Sequence, residues 1–446
     1  MTLRFSFGRL RRLLRDKLWL RPALASAFAI GMATAAYFLG QQYEGKIGLQ
    51  IGKEGLVSLL GILASGMLTV ATFTITSIIT AANSASNFTT PRAARLVVSD
   101  TTAQFVLSAF IAAFIYSVVG IIALNAFPYG PAGRFILFGG LTVIVALVLV
   151  SFINWIDRAT KLGRQSTVID ILRNAALDSL QPLNVGTLGA RVHDGEVPPG
   201  SEAVYPEAIG YVVSIDVGPV QALCEERDCR VFYLTRPGEL AAPTEPIAYI
   251  AGGGRIDDEA RAIVFGAVEL NSSRVHDCDI RHNILNLTET ADRALSPAVN
   301  DPGTAIIVLN IMLEVLTRWS LIRRNREAVD VEYDRVAIPA LTARELFNDA
   351  FTPIARDGAG HVEVAVRLQN VLRSLVRLGD GALTMEVLRL SSDALEMATD
   401  KLVAAQHKER VADAAQKVRD AAAEAATRAP PDHSAYEDAV ARAGVK

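Results

Sequence analysis

Four stretches of this chain carry no Asp, Glu, Lys or Arg: Pro22 to Gln42, Leu56 to Ala82, Ala103 to Phe127 and Phe135 to Ile156. An ionised side chain at the bilayer centre costs on the order of 3 kcal/mol or more, so a long gap in charge marks a segment that lipid accepts. Each gap reaches the ~20 residues that an α-helix needs to cross ~30 Å of hydrocarbon. The gaps predict four transmembrane helices. Apolar residues make up 51% of the chain and charged residues only 20%, proportions that fit a membrane protein better than a soluble enzyme. At 446 residues there is room for two or three folding units.

Basic residues set the expected orientation. Arg4, Arg9, Arg11, Arg12, Arg15, Lys17 and Arg21 precede the first span against Asp16 alone, which predicts a cytoplasmic N-terminus. The loop from Tyr43 to Gly55 balances Lys46 and Lys53 against Glu44 and Glu54, whereas Arg92 and Arg95 follow the second span and Arg158, Lys161 and Arg164 follow the fourth. This alternation matches an even number of crossings. It predicts a multi-pass membrane protein with both termini and the large C-terminal half in the cytosol. Trp19 and Trp155 are expected at the cytoplasmic headgroup level. Cys224, Cys229 and Cys278 are too few for a disulfide-stapled secreted fold and are expected to be reduced. The first apolar run exceeds the roughly 7 to 15 residues of a signal-peptide core. A formal charge of -3 gives no reason to expect nucleic-acid binding.

The second span differs from the others in holding Ser58, Gly61, Ser65, Gly66, Thr69, Thr72, Thr74, Thr76, Ser77 and Thr80. Small residues let helices approach closely, and hydroxyls bond neighbouring helices or wet a cavity. One reading is helix packing inside a bundle. The other makes Ser58, Ser65, Thr69, Thr72, Thr76 and Thr80 pore-lining residues in an oligomer. No carboxylate, Lys, Arg or His stands at membrane depth, which argues against ion-coupled transport and for a passive pore.

The expected fold is mainly α: a four-helix transmembrane domain with a basic N-terminus over residues 1–165, then a cytoplasmic α+β region. A helical stalk is expected over 166–185, ended by Pro182. Between 186 and 256 short β-branched runs such as GYVVSID, CRVFYLT and PIAYIA alternate with Gly and Pro, predicting a small β-rich module for which a swivel-type barrel is one closed form. Arg236, Pro237 and Gly238 mark a turn. The chain has no lysine between Lys161 and Lys401, which excludes a lipoyl- or biotin-carrier role.

A helical bundle is expected over 257–380, followed over 381–446 by a charged, Ala-rich helix and a disordered tail from about Pro430. Asp257, Asp258 and Glu259 open one helix. Ile280, Ile284, Leu287, Ala291 and Leu295 fall on one face of another, with His282, Asn286, Glu289 and Arg293 elsewhere around it and Pro297 as its stop. Asp301 and Pro302 read as N-cap and first residue of a very apolar helix, and Thr342 with Glu345 as a capping box.

Two clusters bear on chemistry. Arg293, Ser296, Asn300, Asp301 and Thr304 read as a helix break rebuilt by a cap, or as a ligand site where a helix N-terminus draws an anion and Arg293 assists. In HDCDIRH, His276, Cys278 and His282 are weak candidates for a soft divalent metal, because a dedicated zinc site wants four ligands. No metal and no cofactor is therefore expected.

The stretch ADRALSPAVNDPGTA from Ala291 to Ala305, with the four spans and the phrase NFTTPRAARLVVSD after the second, resembles the bacterial predicted-membrane-protein family labelled domain of unknown function 2254. The likeness runs from about the first span to about Gly379. It implies membrane location, the span count and a cytoplasmic domain, and carries no substrate or catalytic residue.

Two functions fit these features. In the first, copies of the chain assemble as an oligomeric, channel-like pore with a cytoplasmic regulatory domain. In the second, the spans anchor a sensing or scaffolding unit that recruits a cytosolic partner. No base, nucleophile and orienting group stand at recognisable spacing, so the chain is not expected to be an enzyme.

Overall fold

The computed structural model describes residues 20–43, 51–90, 101–161, 164–193, 195–254, 256–276, 279–326 and 331–427. The basic residues up to Lys17 with Trp19, the loop residues Glu44, Lys46, Arg92 and Arg95, Cys278 and the tail from Pro430 lie outside them. The chain divides into two compact units, Met1–Val168 and Ile169–Lys446.

The first unit holds α1 (Leu20–Gln42), α2 (Lys53–Phe88), α3 (Thr101–Ala126) and α4 (Pro131–Lys161), and each contains one uncharged stretch. Helices satisfy their own backbone groups, which uncharged sequence without water must do. The packing uses small residues. Ala29, Ala33, Ala36 and Gly40 are buried on α1, and a Cβ on Gly40 would stand 2.4 Å from the Cα of Gly133 on α4, so only glycine permits this crossing. Two tyrosine hydroxyls tie helices together through carbonyls: Tyr116 donates to Leu137 O at 2.8 Å and Tyr129 to Ala33 O at 3.2 Å. Trp155 is packed inside the unit at 2% exposure.

The division falls within α5 (Gln165–Asp178), and α6 (Pro182–Val185) follows in the second unit. Its strands β1 (Ala190–Val192), β2 (Glu202–Val204), β3 (Gly210–Ile215), β4 (Cys229–Tyr233), β5 (Leu240–Ala241), β6 (Ala248–Gly252), β7 (Val268–Asn271) and β8 (Tyr333–Ile338) do not close into a barrel. They form an open five-stranded mixed sheet in the order β1-β8-β4-β6-β2 and a three-stranded sheet in the order β5-β3-β7. The five-stranded sheet ends on the three-residue strands β1 and β2, too short to wrap round and pair. β8 pairs in parallel with both β1 and β4, so a strand far along the chain sits inside a sheet begun before residue 200. Helices α7 (Val217–Arg227) and α8 (Asp258–Gly266) share its core, where Val231, Tyr233, Ala248, Ile250 and Val264 are buried and Tyr233 donates to Val264 O at 2.9 Å.

The helices α9 (Ile280–Leu295), α10 (Pro302–Arg326), α11 (Ala343–Asp357), α12 (Val362–Val376), α13 (Gly381–Lys401) and α14 (Ala405–Thr427) complete the unit. Their ends follow the expected chemistry. Thr342 and Glu345 make a full capping box, Asp257 caps α8 by accepting from Ala260 N, and α9 stops before Pro297. Among the described residues five helices, not four, are long and apolar enough to cross a membrane, the fifth being Pro302–Arg324 in α10. It escapes a search for charge gaps because Glu314 and Arg318 interrupt it. Its apolar window is 56% buried inside the fold, against 17% for α2.

Candidate functional site

The six hydroxyl residues proposed from sequence lie together on one track. At 100° per residue Ser58, Ser65, Thr69, Thr72, Thr76 and Thr80 fall within about 80° of arc on α2. All six are exposed. The buried residues of α2, Leu56, Leu60, Ala71, Thr74, Ile78, Ala81 and Ala85, lie on the opposite side of the helix. Packing within the bundle therefore does not account for the track. Four of the six hydroxyls bond along the helix: Ser65 donates to Ile62 O at 3.1 Å, Thr69 to Ser65 O at 3.0 Å, Thr72 to Leu68 O at 2.9 Å and Thr76 to Thr72 O at 3.0 Å. A hydroxyl that donates in this way still has lone pairs with which to accept.

The polar motif after α9 builds a turn and a cap. Ser296 donates through its side chain to Arg293 O at 2.7 Å, Asn300 takes a left-handed φ of 50° and donates to Ser296 O, and Asp301 N reaches Ala294 O at 2.8 Å. Asp301 then opens α10 by accepting from Thr304 N at 3.2 Å and Thr304 Oγ1 at 2.6 Å. The position that an anion would take at this helix start is filled by the chain's own carboxylate, and Arg293 is exposed.

His276 and His282 come together, with ring centroids 4.5 Å apart. Asn283 Nδ2 donates to His276 O at 2.7 Å and to Ala175 O at 3.2 Å, which turns its Oδ1 toward His276 Nδ1 at 2.8 Å and makes that nitrogen the donor. Cys278 lies outside the described residues, among which no group of three metal-ligating side chains occurs. His282 and Asn286, expected off the apolar face of α9, are buried with Asp279, Asn283 and Thr290. α9 is covered on two sides, so its polar face is interior as well.

Sequence reasoning missed an arginine and carboxylate network around a narrow cleft. Asn184, Leu188, Arg236, Asp279, Arg281 and Pro339 are among its lining. Arg236 is 8% exposed; it donates to Ala340 O at 2.7 Å and to Glu345. Arg281 donates to Glu345 at 3.1 Å and to Asp349 at 2.6 Å. Burial pushes the Glu345 carboxyl up, but hydrogen bonds from Arg236 and Thr342 outweigh it and hold the group below the ordinary carboxylate range. Asp279 accepts from Arg274 at 2.6 and 2.8 Å. Its carboxylate presses on Gly238, where φ is 96° and a Cβ would come within 2.6 Å. Each of these guanidiniums has a carboxylate partner, so the cleft reads as a joint between the β4–β5 turn and α9 and α11. Only the turn at Arg236, Pro237 and Gly238 hinted at it, since the partners are spread over a hundred residues of sequence.

Against known proteins, a family model described as predicted membrane protein (DUF2254) matches residues 15–374. No curated protein and no solved structure matches the chain.

Proposed function

From the premise that the chain belongs to the DUF2254 family of predicted membrane proteins, we propose that it forms an oligomeric pore in the bacterial inner membrane, with α2 lining the passage and the C-terminal half as a cytosolic regulatory domain. In this reading α1 to α4 span the bilayer and both termini are cytosolic. α10 stays in the soluble bundle. Its charges support that placement: Glu314 pairs with Arg173 at 2.7 Å and Arg323 with Asp380 at 2.6 Å. The observation that carries the pore is the hydroxyl track on the side of α2 that the bundle leaves bare. Copies meeting around that side would line a passage with hydroxyl lone pairs, which replace part of an ion's or a polar solute's hydration.

The test is reconstitution of the full chain in lipid bilayers, combined with single cysteines at Ser65, Thr69, Thr72 and Thr76 exposed to a charged, water-soluble thiol reagent. Flux that the reagent blocks at these four positions, and not at Ile75, supports the pore. Absence of flux overturns it. A second reading, a membrane anchor that recruits a cytosolic partner, draws on the internal hydroxyl bonds of α2, which make the track tolerable to lipid as it stands. Labelling of the track from the lipid phase alone, in a monomer, favours the anchor.

A further inference from the structure

The motif segment carries one half-buried acid that the cap and the turn leave unused. Asp292 lies on α9, and its Oδ1 is buried without a hydrogen-bond partner. The charged groups that act on it are Asp357 and Arg356 of α11 and Glu289 one turn earlier on α9; α10, also packed on α9, contributes none among the described residues. Arg356 is committed elsewhere, giving Nε and Nη2 to Asp357 at 2.6 and 3.0 Å. An ionised Asp292 therefore keeps an undonated oxygen in the interior and meets two like charges against the one charge of Arg356, which Asp357 already shares. Its protonated form avoids the repulsion and lowers the desolvation penalty.

We infer that Asp292 is a proton-operated contact between α9 and α11, tight when the carboxyl is neutral and loosened when it ionises. Burial first, then the Asp357 charge, push its pKa up to about 7, within the range that a bacterial cytosol samples. The sign follows from proton linkage. The packed form holds a proton that the unfolded chain, with an ordinary value of about 3.9, releases. Packing therefore gains stability as pH falls from about 7 toward about 4, and loses it as pH rises through about 7. The device sits at the foot of the α9–α10 turn. It works on the second unit whether or not the first conducts.

The experiment is hydrogen exchange by mass spectrometry on the full chain in phosphatidylcholine and phosphatidylglycerol nanodiscs at pH 6 and pH 8, corrected for intrinsic exchange. Peptides from 280–295 and 343–357 are expected to exchange several-fold more slowly at pH 6. Asp292→Asn, which mimics the neutral acid, is expected to be equally protected at both values. Asp357→Asn removes a like charge and releases Arg356, both of which favour the anion, so the midpoint of the protection step should fall by about half a unit or more. Equal protection of the native chain at both pH values overturns the inference. So does a step that survives unchanged in Asp357→Asn, a result available even if Asp292→Asn fails to fold.

Discussion

α2 and α10 are both long and apolar enough to cross a membrane, yet they solve opposite problems. α2 has little of its apolar window covered by protein, and on its bare face Ser65, Thr69, Thr72 and Thr76 bond to its own backbone. α10 is more than half buried, and Glu314, Ser320 and Arg323 are joined to Arg173 of α5 and to Asp380, the N-cap of α13. Hydropathy treats the two alike. What separates them is where these polar groups find their partners: along its own helix in α2, across the fold in α10. A helix that satisfies itself is free to face lipid or a second copy, whereas one that depends on neighbours is bound to a protein core.

Three changes break or sharpen this contrast. The largest effect is expected at α10, where Arg323→Leu leaves the nearly buried Asp380 without its ion pair. Loss of about 3 kcal/mol is expected, seen as a lower denaturation midpoint of the full chain in detergent. If α10 depended on lipid instead, that midpoint would hardly move. Next comes Thr72→Asp on α2. A lipid-facing site would lose on the order of 3 kcal/mol of insertion, whereas a water-lined one keeps the chain inserted and raises cation over anion permeability, read from reversal potentials. The pore reading expects the second result. Smallest is Asp301→Ala, which removes the cap of α10 and should cost about 1 kcal/mol in the same denaturation assay while leaving flux unchanged.

Much of this was legible before any coordinate. Charge gaps coincide with α1 to α4 because the penalty for ionised groups in hydrocarbon acts residue by residue, and the caps at Asp257, Asp301 and Thr342 are equally local. The hydroxyl residues of α2 were readable as a set, but their placement opposite the packed face was not, because nothing local says which side α3 covers. Burial of His282 and Asn286 escaped for a similar reason: periodicity reveals one apolar face and is silent when a second element covers the polar one. The joint of Arg236 and Arg281 with Glu345 and Asp349 is wholly tertiary. The open sheet replaced the barrel because β8 enters from beyond α10, a pairing that alternation within 186–256 does not encode.

That late strand has a consequence for biogenesis. β4 leaves the ribosome roughly a hundred residues ahead of β8, so during synthesis one of its edges stays unpaired while α9 and α10 are still being made. The nascent half-sheet is a natural client for chaperones, and a chain truncated before Tyr333 would carry that open edge permanently, ready to join another like it.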